Sequence, residues 1–582
     1  MTEISIRTGG AAGDGIASIG ETLSRTFSRM GLHVFGFNAY QSVIRGGHVW
    51  FQARASNDRV DCQGDGCDLL YALSKETAEI HLPSLSRGGT LVYDPENFAI
   101  QPSEMPVGTK ALALPSLAIA RKYTSSPILQ NGAGLGALAY LAGIPLDRLQ
   151  GTLADSFGSK KGDVVTWNTS AAAEGYAFAE KNASVSDHAV KPAGAAKLLM
   201  TGNQAVALGA AAGGCKFLAQ YPMTPATSIM HWMAAHSQQI GVVVKQAEDE
   251  LAAIHMAIGA SFAGVRSMTA TSGGGFSLMV EALGMAGMTE TPVVVVDSQR
   301  GGPSTGLPTK TEQADLHLML GAGQGEFPRV ILAPTSPSDA YRAMIRAFDL
   351  AESWQTPVIV AVDLHLSESF ATVERSEIDL NVDLPSLFTV APNGGEYLRY
   401  KYTPSGVSPR AFPGQVGLNF IAGSDEHDEK GHLVSDIKVG TPYGIAERKK
   451  MMEKRMRKMV GLTQGSEGPR QIGPKNAPLT FLAWGSTVGA VRDSMTLLAA
   501  RGHPTNLVYL PTVFPVHGAE LQALLAPAQK TLLVEANFSG QLGHLLRAET
   551  GLTFPNKLLK YDGEAITPME IAHRALEVLN VR

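Results

Sequence analysis

Residues 293–302 read Val-Val-Val-Val-Asp-Ser-Gln-Arg-Gly-Gly, a run of β-branched residues that passes directly into a polar, glycine-rich loop. A run without polar alternation is typical of a strand buried on both faces, as in parallel sheets covered by helices. Two further runs of this kind stand at residues 242–244 and 358–362. The sequence therefore predicts a doubly wound α/β domain over residues 197–375.

Similar alternation of strands and helices continues on both sides of this domain. An apolar strand, a glycine turn at residues 9–15 and a helical pattern up to Met30 open another α/β domain, predicted at 1–182. A linker is expected at 183–196 and an irregular connector with a basic helix at 376–474. A last α/β domain is predicted at 475–582. The predicted fold class is thus α/β, with three doubly wound domains.

The composition excludes several classes of protein. The 582 residues carry 48 Lys and Arg against 53 Asp and Glu, so the chain has no basic footprint for nucleic acid. Its apolar runs are too short for a membrane span, and no secretory signal is visible. We expect a cytoplasmic protein. Cys62, Cys67 and Cys215 lack the close spacing of zinc or iron–sulfur ligands, so any cluster is expected on another chain.

Two glycine motifs in the first domain have a functional and a structural interpretation. The turn at residues 9–15 fits a dinucleotide loop, but the second strand ends Phe37-Asn38 without the acid that would bind a ribose, which favours a structural turn. Gly64-Asp65-Gly66 with Asn97 has the spacing of a magnesium–diphosphate motif. It precedes rather than follows a buried strand, which disfavours a metal site.

Two charged segments lie in the connector. Residues 425–432, Asp-Glu-His-Asp-Glu-Lys-Gly-His, are interpreted as a structural loop rather than a metal site, because they offer no helical His pair. Seven Lys or Arg residues fall between Arg448 and Lys458. A solvated helix that packs a stripe of Met452, Met456 and Met459 is predicted there.

The most informative part of the sequence is a series of polar loops predicted at the ends of consecutive parallel strands, where open α/β sheets bind ligands. In order they read Gly202-Asn203-Gln204-Ala205, Tyr221-Pro222-Met223-Thr224-Pro225, Gln246-Ala247-Glu248-Asp249-Glu250, Thr271-Ser272-Gly273-Gly274-Gly275, and Gln-Arg-Gly-Gly-Pro-Ser-Thr-Gly-Leu-Pro-Thr at 299–309. As a set they closely resemble the alpha subunit of 2-oxoacid:ferredoxin oxidoreductases, with Met223 in place of the family's Ile.

The flanking domains resemble parts of the same enzymes. The glycine turn at 9–15, Arg45-Gly46-Gly47, and Asn-Gly-Ala-Gly-Leu-Gly at 131–136 are similar to the gamma domain, over about residues 1–180. The last domain resembles a transketolase C-terminal domain around Gly485-Ser486 and Val-Glu-Ala-Asn at 534–537.

This resemblance implies thiamine diphosphate shared with a separate beta subunit, which would carry Mg²⁺ and a [4Fe–4S] cluster. It implies a 2-oxoacid, CoA and ferredoxin as partners, in a dimer of alpha–beta pairs. The two-chain arrangement and the loop at 299–309 are most similar to the 2-oxoglutarate enzymes. Pyruvate or a branched or aromatic 2-oxoacid is the alternative substrate, and a non-catalytic scaffold subunit is the alternative of a different class.

The resemblance also assigns site residues. Glu250 matches the catalytic glutamate, which shares a proton with the aminopyrimidine ring, whereas Glu248 is interpreted as an acid that only complements a helix dipole. Arg300 and Thr224 match substrate-contacting positions; a surface ion pair and a helix N-cap are their structural alternatives. The residues expected to bind the cofactor are Glu250, Tyr221, Pro222, Thr224, Pro225, Ser272 and Gly273. No metal ligand is expected on this chain.

Overall fold

The computed structural model describes residues 3–42, 46–158, 163–384, 387, 396–434 and 440–581. The chain divides into two compact units. The first unit comprises Met1–Thr201, Glu368–Glu377 and Thr567–Glu570, and the second comprises Gly202–Ser367, Ile378–Ile566 and Ile571–Arg582. Arg45 of the Arg-Gly-Gly motif lies outside the described residues.

Strands and helices alternate along most of the described chain. The strands are β1 Glu3–Ala11, β2 His33–Ala39, β3 His48–Ser56, β4 Cys67–Ala72, β5 Leu85–Tyr93, β6 Lys110–Ala113, β7 Leu198–Thr201, β8 Phe217–Gln220, β9 Val243–Gln246, β10 Ser267–Thr271, β11 Val293–Gln299, β12 Val330–Leu332, β13 Pro357–Asp363, β14 Phe370–Val373, β15 Arg470–Ile472, β16 Thr480–Ala483, β17 Asn506–Tyr509, β18 Thr512–Phe514, β19 Thr531–Glu535 and β20 Lys557–Leu559.

The α-helices of the described chain are α1 Ile16–Arg29, α2 Lys75–His81, α3 Ser116–Arg121, α4 Gln130–Ala142, α5 Leu146–Phe157, α6 Val164–Asn182, α7 Gly202–Ala212, α8 Thr227–Ile240, α9 Glu250–Phe262, α10 Gly273–Met288, α11 Leu316–Leu320, α12 Pro337–Trp354, α13 Leu364–Glu368, α14 Pro442–Gly465, α15 Thr487–Ala500, α16 Gly518–Leu525, α17 Gln541–Thr550 and α18 Pro568–Leu579. None of them is both long enough and apolar enough to cross a membrane. The predicted α/β class is confirmed.

The first unit is built on an eight-stranded sheet in the order β6-β5-β4-β1-β3-β2-β14-β7. Strands β1, β4, β5 and β6 run parallel, whereas β3, β2, β14 and β7 add antiparallel pairs. Residues 197–200 were predicted to begin the middle domain, but strand β7, which spans Leu198–Thr201, belongs to the sheet of the first unit. Strand β7 instead pairs with β14, which pairs with β2, so that β7 forms the edge of the first unit's sheet.

The glycine motifs of the first unit have structural roles. The turn at 9–15 links β1 to α1 as predicted, and the Asp14 carboxylate accepts a hydrogen bond of 2.8 Å from the Ala11 N–H. In the motif at 131–136, a Cβ on Gly136 would lie 1.9 Å from the Ala172 carbonyl oxygen of α6. That motif therefore lets α4 and α6 pack with their backbones in contact. Asn97, which stands in the other motif, donates a hydrogen bond of 3.1 Å to the Gln130 side chain.

The second unit contains two sheets. The larger has seven strands in the order β18-β12-β13-β11-β10-β8-β9, all parallel except β18. The smaller has the order β15-β17-β16-β19-β20, parallel except for β15. One hydrophobic cluster joins them, because it includes Val295 and Phe276 of the larger sheet's layer together with Trp484 and Leu533 of the smaller.

The predicted orientation of the basic helix is wrong. Helix α14 buries Met451, Lys454, Arg455 and Lys458, while Met452, Met456 and Met459 are only half-buried. The reason is a buried acid at another place in the chain: Glu290 is fully buried and pairs with both Lys454 and Lys458. A buried lysine is tolerated only when such a partner compensates its charge.

The acidic loop at 425–432 has the structural role that was predicted. Glu426 accepts two hydrogen bonds from Arg455, at 3.0 and 2.9 Å. His427 is buried, and its ring lies 3.8 Å from that of Tyr400, centroid to centroid. The loop therefore anchors α14 through its side chains.

Candidate active site

Four loops meet at the carboxyl ends of neighbouring strands β11, β10, β8 and β9 of the seven-stranded sheet. Residues 221–225 follow β8, Glu250 opens the helix after β9, residues 272–275 follow β10, and Arg300 follows β11. The structure thus brings all the predicted site residues to one edge of one sheet, the edge at which parallel α/β sheets bind ligands.

Glu250 is a buried carboxyl group at the start of a helix. Asp249 caps helix α9 by accepting a hydrogen bond of 2.7 Å from the Ala252 N–H, which fixes Glu250 as the first helical residue. The side chain is 3% exposed, and among the described residues its Oε1 has no hydrogen-bond partner. Burial raises the pKa of Glu250, with Asp249 adding to the effect and the backbone N–H opposing it. Glu248, by contrast, is exposed.

The first turn of α10 is bare backbone next to these acids. A Cβ on Gly275 would lie 2.5 Å from Glu250 Oε1 and 2.1 Å from Thr271 Oγ1. A Cβ on Gly273 would lie 2.4 Å from an oxygen of Asp315. Ser272, the N-cap, is fully buried, and its hydroxyl has no hydrogen-bond partner among the described residues. Carboxyl oxygens thus crowd Gly273 and Gly275, whereas a Cβ on Gly274 would meet no atom closer than 3.9 Å.

Thr224 and Arg300 lie side by side. The Arg300 guanidinium donates a hydrogen bond of 2.7 Å to the Thr224 carbonyl oxygen, and the Thr224–Pro225 peptide is cis. Helix α8 has its N-cap at Ala226, so Thr224 is not the helix cap that was the alternative. Pro225 is buried, whereas Tyr221 and Pro222 are half-buried.

Asn203 is a residue of this site to which the sequence assigned no role, although it stands in a motif singled out above. It is fully buried, and its amide donates to the Pro225 carbonyl and to the Ser228 hydroxyl, each at 2.7 Å. Asn203 therefore holds the turn that carries Thr224.

Two further acids near Arg300 had no signal in the sequence. Asp297 is fully buried and neither of its carboxylate oxygens has a hydrogen-bond partner among the described residues. Burial, followed by the charge of Asp315, raises its pKa well above the ordinary value. Burial likewise raises the pKa of Asp315 to about 6, an effect that Glu312 reinforces and Arg300 opposes.

The cysteines of the chain are Cys62, Cys67 and Cys215. All three are buried free thiols, and burial raises the pKa of Cys67 to about 11 and that of Cys215 to about 12. Within the described ranges, no group of three or more His, Cys, Asp or Glu side chains is arranged to hold a metal ion.

Comparison with known proteins agrees with this geometry. A family described as pyruvate flavodoxin/ferredoxin oxidoreductase, thiamine diphosphate-binding, matches residues 208–441, and one described as pyruvate ferredoxin/flavodoxin oxidoreductase matches residues 5–178. The 2-oxoacid:ferredoxin oxidoreductase subunit alpha of a Sulfolobus species is 31% identical, over 98% of this chain and 96% of the relative. The 2-oxoglutarate oxidoreductase subunit KorA of Mycobacterium tuberculosis is 29% identical, over 94% of this chain and 87% of the relative.

A solved structure is similar over the whole length. The 2-oxoglutarate:ferredoxin oxidoreductase of Magnetococcus marinus, solved with 2-oxoglutarate, coenzyme A and succinyl-CoA bound, is 36% identical with a TM-score of 0.93 and full coverage of both chains. These relatives are subunits of multi-subunit oxidoreductases, and the thiamine diphosphate-binding family covers the four loops described above. The chain therefore belongs to the family of 2-oxoacid:ferredoxin oxidoreductase alpha subunits, enzymes that decarboxylate 2-oxoacids oxidatively with thiamine diphosphate.

Proposed function

We propose that this chain is the gamma–alpha subunit of a 2-oxoglutarate:ferredoxin oxidoreductase. The observation that carries the proposal is the full-length similarity to the Magnetococcus marinus enzyme, whose structure holds 2-oxoglutarate, coenzyme A and succinyl-CoA. The reaction would convert 2-oxoglutarate and CoA into succinyl-CoA and CO₂, with one electron passed to each of two ferredoxins and one proton released. The reverse reaction, reductive carboxylation, uses the same groups.

The residues around Glu250 fit thiamine diphosphate. A buried carboxyl oxygen that has no hydrogen-bond partner among the described residues, on a group with a raised pKa, is suited to share a proton with a ring nitrogen of the aminopyrimidine. When bound, the cofactor supplies the carbon nucleophile and the electron sink of the decarboxylation. Tyr221, Pro222, Thr224, Pro225, Ser272 and Gly273 would enclose its ring beside Glu250.

Arg300 and Thr224 would bind the substrate. A 2-oxoacid presents a carboxylate beside a keto group, and the planar guanidinium of Arg300 matches a carboxylate with two hydrogen bonds. The Thr224 carbonyl takes one donor of Arg300, at 2.7 Å, and so orients the remaining donors. The Thr224 hydroxyl would donate to the keto oxygen.

The remaining cofactors would lie on a beta subunit. The three cysteines, with Cys62 and Cys67 separated by four residues, lack the close spacing of cluster ligands, which favours a [4Fe–4S] cluster on another chain, and that chain would also hold Mg²⁺ with the diphosphate. Ferredoxin would accept the electrons, within a dimer of alpha–beta pairs. If so, this chain purified alone is colourless; a bound iron–sulfur chromophore in its visible spectrum would exclude the two-chain arrangement.

The domain division also belongs to this proposal. We propose a gamma domain at 1–182, a linker at 183–196, a pyrimidine-binding domain at 197–375, a connector at 376–474 and a transketolase C-terminal-like domain at 475–582. Most strands of the three sheets follow this division. The exceptions are β7 and β14 in the first sheet, β18 in the seven-stranded sheet and β15 of the connector in the five-stranded sheet.

A substrate panel tests the proposed specificity. The enzyme assembled from this chain and its beta partner is assayed by ferredoxin reduction with 2-oxoglutarate, pyruvate and 2-oxoisovalerate, each with CoA. We expect kcat/KM to be at least tenfold higher for 2-oxoglutarate. Equal or higher kcat/KM for pyruvate or the branched acid would assign the chain to a different substrate, and no turnover of any 2-oxoacid would favour a scaffold role.

A further inference from the structure

The loop that carries Arg300 closes on itself and is then fastened to the smaller sheet. The Gly301 N–H donates to the Lys310 carbonyl at 3.1 Å and the Leu307 N–H donates to the Gly301 carbonyl at 2.8 Å, which closes the loop. Residues 302–307 within it are exposed. The loop is therefore closed at its base by backbone hydrogen bonds, and the residues that follow it connect this base to the loops of the smaller sheet.

Asp315 links those following residues to Arg300. The positive charge of Arg300 opposes the rise in the pKa of Asp315. The backbone N–H of Asp315 donates a hydrogen bond of 3.1 Å to the Gln299 side chain. Asp315 also lies against Gly273 in the first turn of α10. Because the Asp315 N–H holds the side chain of Gln299, which directly precedes Arg300, a displacement of residues 311–315 would disturb the segment that carries Arg300.

Gln313 is the most constrained residue of this segment. It is 1% exposed, and its amide donates to the Trp484 carbonyl at 2.9 Å and accepts from the Ala536 N–H at 3.1 Å. Its own backbone N–H donates to the Ala536 carbonyl at 2.6 Å, and its carbonyl accepts from the Asn537 amide at 3.1 Å. All four hydrogen-bonding groups of Gln313 are therefore satisfied by the smaller sheet's loops.

The place that Gln313 occupies is itself informative. Trp484 follows β16 and Ala536 follows β19, and these two parallel strands are neighbours. Such a carboxyl end is where a doubly wound sheet ordinarily binds a ligand. Here a side chain of the substrate loop's own continuation fills that position.

Gly485 and Asn537 fit the same arrangement. Gly485 has φ +58°, and a Cβ there would lie 2.7 Å from the Gln313 amide nitrogen. Asn537 is in turn held by Glu535, which accepts its amide hydrogen at 2.8 Å. The two motifs that resemble a transketolase C-terminal domain thus meet around one glutamine.

We infer that Gln313 is a positioning residue for Arg300, through which the C-terminal domain sets the geometry of the substrate loop. This inference rests on the proposed role of Arg300 as the carboxylate-binding group. It assigns the C-terminal domain a task in substrate binding that acts through a buried hydrogen-bond clamp rather than through contact with the substrate.

The test uses Gln313→Leu in the assembled enzyme, because leucine keeps the volume and removes both side-chain hydrogen bonds. We expect kcat/KM for the 2-oxoacid to fall about tenfold to a hundredfold, chiefly through a higher KM, as for a misplaced binding group. The affinity for thiamine diphosphate should stay within twofold. Gln522→Leu removes a glutamine hydrogen bond elsewhere in the same domain, at 3.1 Å from the Thr550 carbonyl, and should change nothing.

A double-variant cycle distinguishes positioning from a general structural role. On an Arg300→Lys background, Gln313→Leu should cause little further loss, because the group it positions is already gone. Losses that multiply, or a normal KM in Gln313→Leu, would overturn the inference while leaving the role of Arg300 intact. An unchanged kcat/KM in Arg300→Lys alone would instead overturn the proposed role of Arg300 in substrate binding, whereas the substrate panel tests the proposed reaction separately.

Gly485→Ala keeps the test decisive if Gln313→Leu does not fold. The added methyl group would push the side-chain amide of Gln313 away from the Trp484 carbonyl, although Gln313 itself is not substituted. We expect a several-fold rise in KM for the 2-oxoacid with an unchanged thiamine diphosphate affinity. A KM equal to that of the parent enzyme would contradict the clamp.

Discussion

Replacing Glu250 by Gln removes one function of this side chain and little else. The amide has the same shape, and because Oε1 has no hydrogen-bond partner among the described residues, no internal contact of that oxygen is lost. The variant also removes the charge that burial disfavours, so the free energy of unfolding should be unchanged or slightly higher. What the amide cannot do is share a proton with the aminopyrimidine.

The expected kinetic effect follows from that loss. General acid–base groups contribute about 10²- to 10⁴-fold to rate. A loss of about 10²-fold corresponds to about 2.7 kcal/mol of transition-state stabilisation at 1.36 kcal/mol per decade. The direct assay is exchange of the thiamine diphosphate C2 proton with deuterium in the assembled enzyme, followed by quenching and NMR, with 2-oxoacid turnover measured in parallel.

Glu248→Gln is the matched control, because Glu248 belongs to the same acidic triplet but is exposed. It should exchange and turn over at the parent rate. If Glu250→Gln exchanged the C2 proton within a few-fold of the parent enzyme while Glu248→Gln was slow, the assignment of the two acids would have to be reversed. If neither slowed, neither glutamate of the triplet would relay the proton.

Further predictions concern the substrate cation, the glycine turn and the buried ion cluster. Arg300→Lys should lower kcat/KM for 2-oxoglutarate and pyruvate by a similar factor, about 1.5–3 kcal/mol, since every 2-oxoacid presents the same carboxylate; a loss confined to 2-oxoglutarate would place Arg300 on the distal carboxylate. Gly275→Ala should weaken thiamine diphosphate binding at least tenfold, because its methyl group would lie 2.5 Å from Glu250 Oε1. Gly259→Ala, whose methyl group would have no atom within 4 Å, should bind the cofactor as the parent enzyme does. Equal affinities of the two variants would show that the space beside Glu250 is not needed for the cofactor. Glu290→Gln should destabilise the fold by about 3–5 kcal/mol in denaturant unfolding, because it leaves Lys454 and Lys458 buried without a counter-charge, while Glu453→Gln on the exposed face of α14 should stay within about 0.5 kcal/mol. Burial opposes ionisation of Glu290, but the charges of Lys458, Lys454 and Arg399 outweigh it and hold the pKa of Glu290 below the ordinary 4.5. The contribution of ionised Glu290 to stability is therefore present above pH 4.5 and is lost as the pH falls below it, so the parent chain should lose stability more steeply in acid than Glu290→Gln. Parallel curves of stability against pH would show that the ion pairs of Glu290 do not cause this pH dependence.

The parts of the fold that the sequence predicted are those with a local signal. Strands β11 and β13 are unbroken apolar runs, which specify a strand covered on both faces without reference to any other segment. Strands β7 and β14 have only four residues each and pair across about 170 positions of sequence, so nothing local indicates which sheet they join. Short strands of this kind pair with a sheet edge that the rest of the folded chain leaves open.

Helix α14 illustrates the same limit for side chains. Its spacing of Met452, Met456 and Met459 predicts an apolar stripe, and hydrophobicity alone would bury that face. Glu290, 164 residues away from Lys454, reverses the choice because a buried acid needs cations around it. A single distant charge thus overrides an amphipathic pattern.

The candidate site divides in the same way. Glu250, Thr224 and Arg300 stand in loops that follow recognisable strands, so each is visible from its own neighbourhood. Asp297 and Asp315 matter through burial and mutual charge, and Gln313 through partners 171 to 224 positions away. Such roles arise only when the chain is folded.

The central claim, that this chain supplies the proton-sharing half of a thiamine diphosphate site for oxidative decarboxylation, is tested most directly by product stoichiometry. The assembled enzyme is freed of cofactor and given 2-oxoglutarate, CoA and oxidised ferredoxin, with and without thiamine diphosphate and Mg²⁺. We predict one succinyl-CoA and one CO₂ for every two ferredoxins reduced, strictly dependent on thiamine diphosphate and slowed about 10²-fold or more by Glu250→Gln. CO₂ release that proceeds without thiamine diphosphate, or at the parent rate in Glu250→Gln, would contradict it.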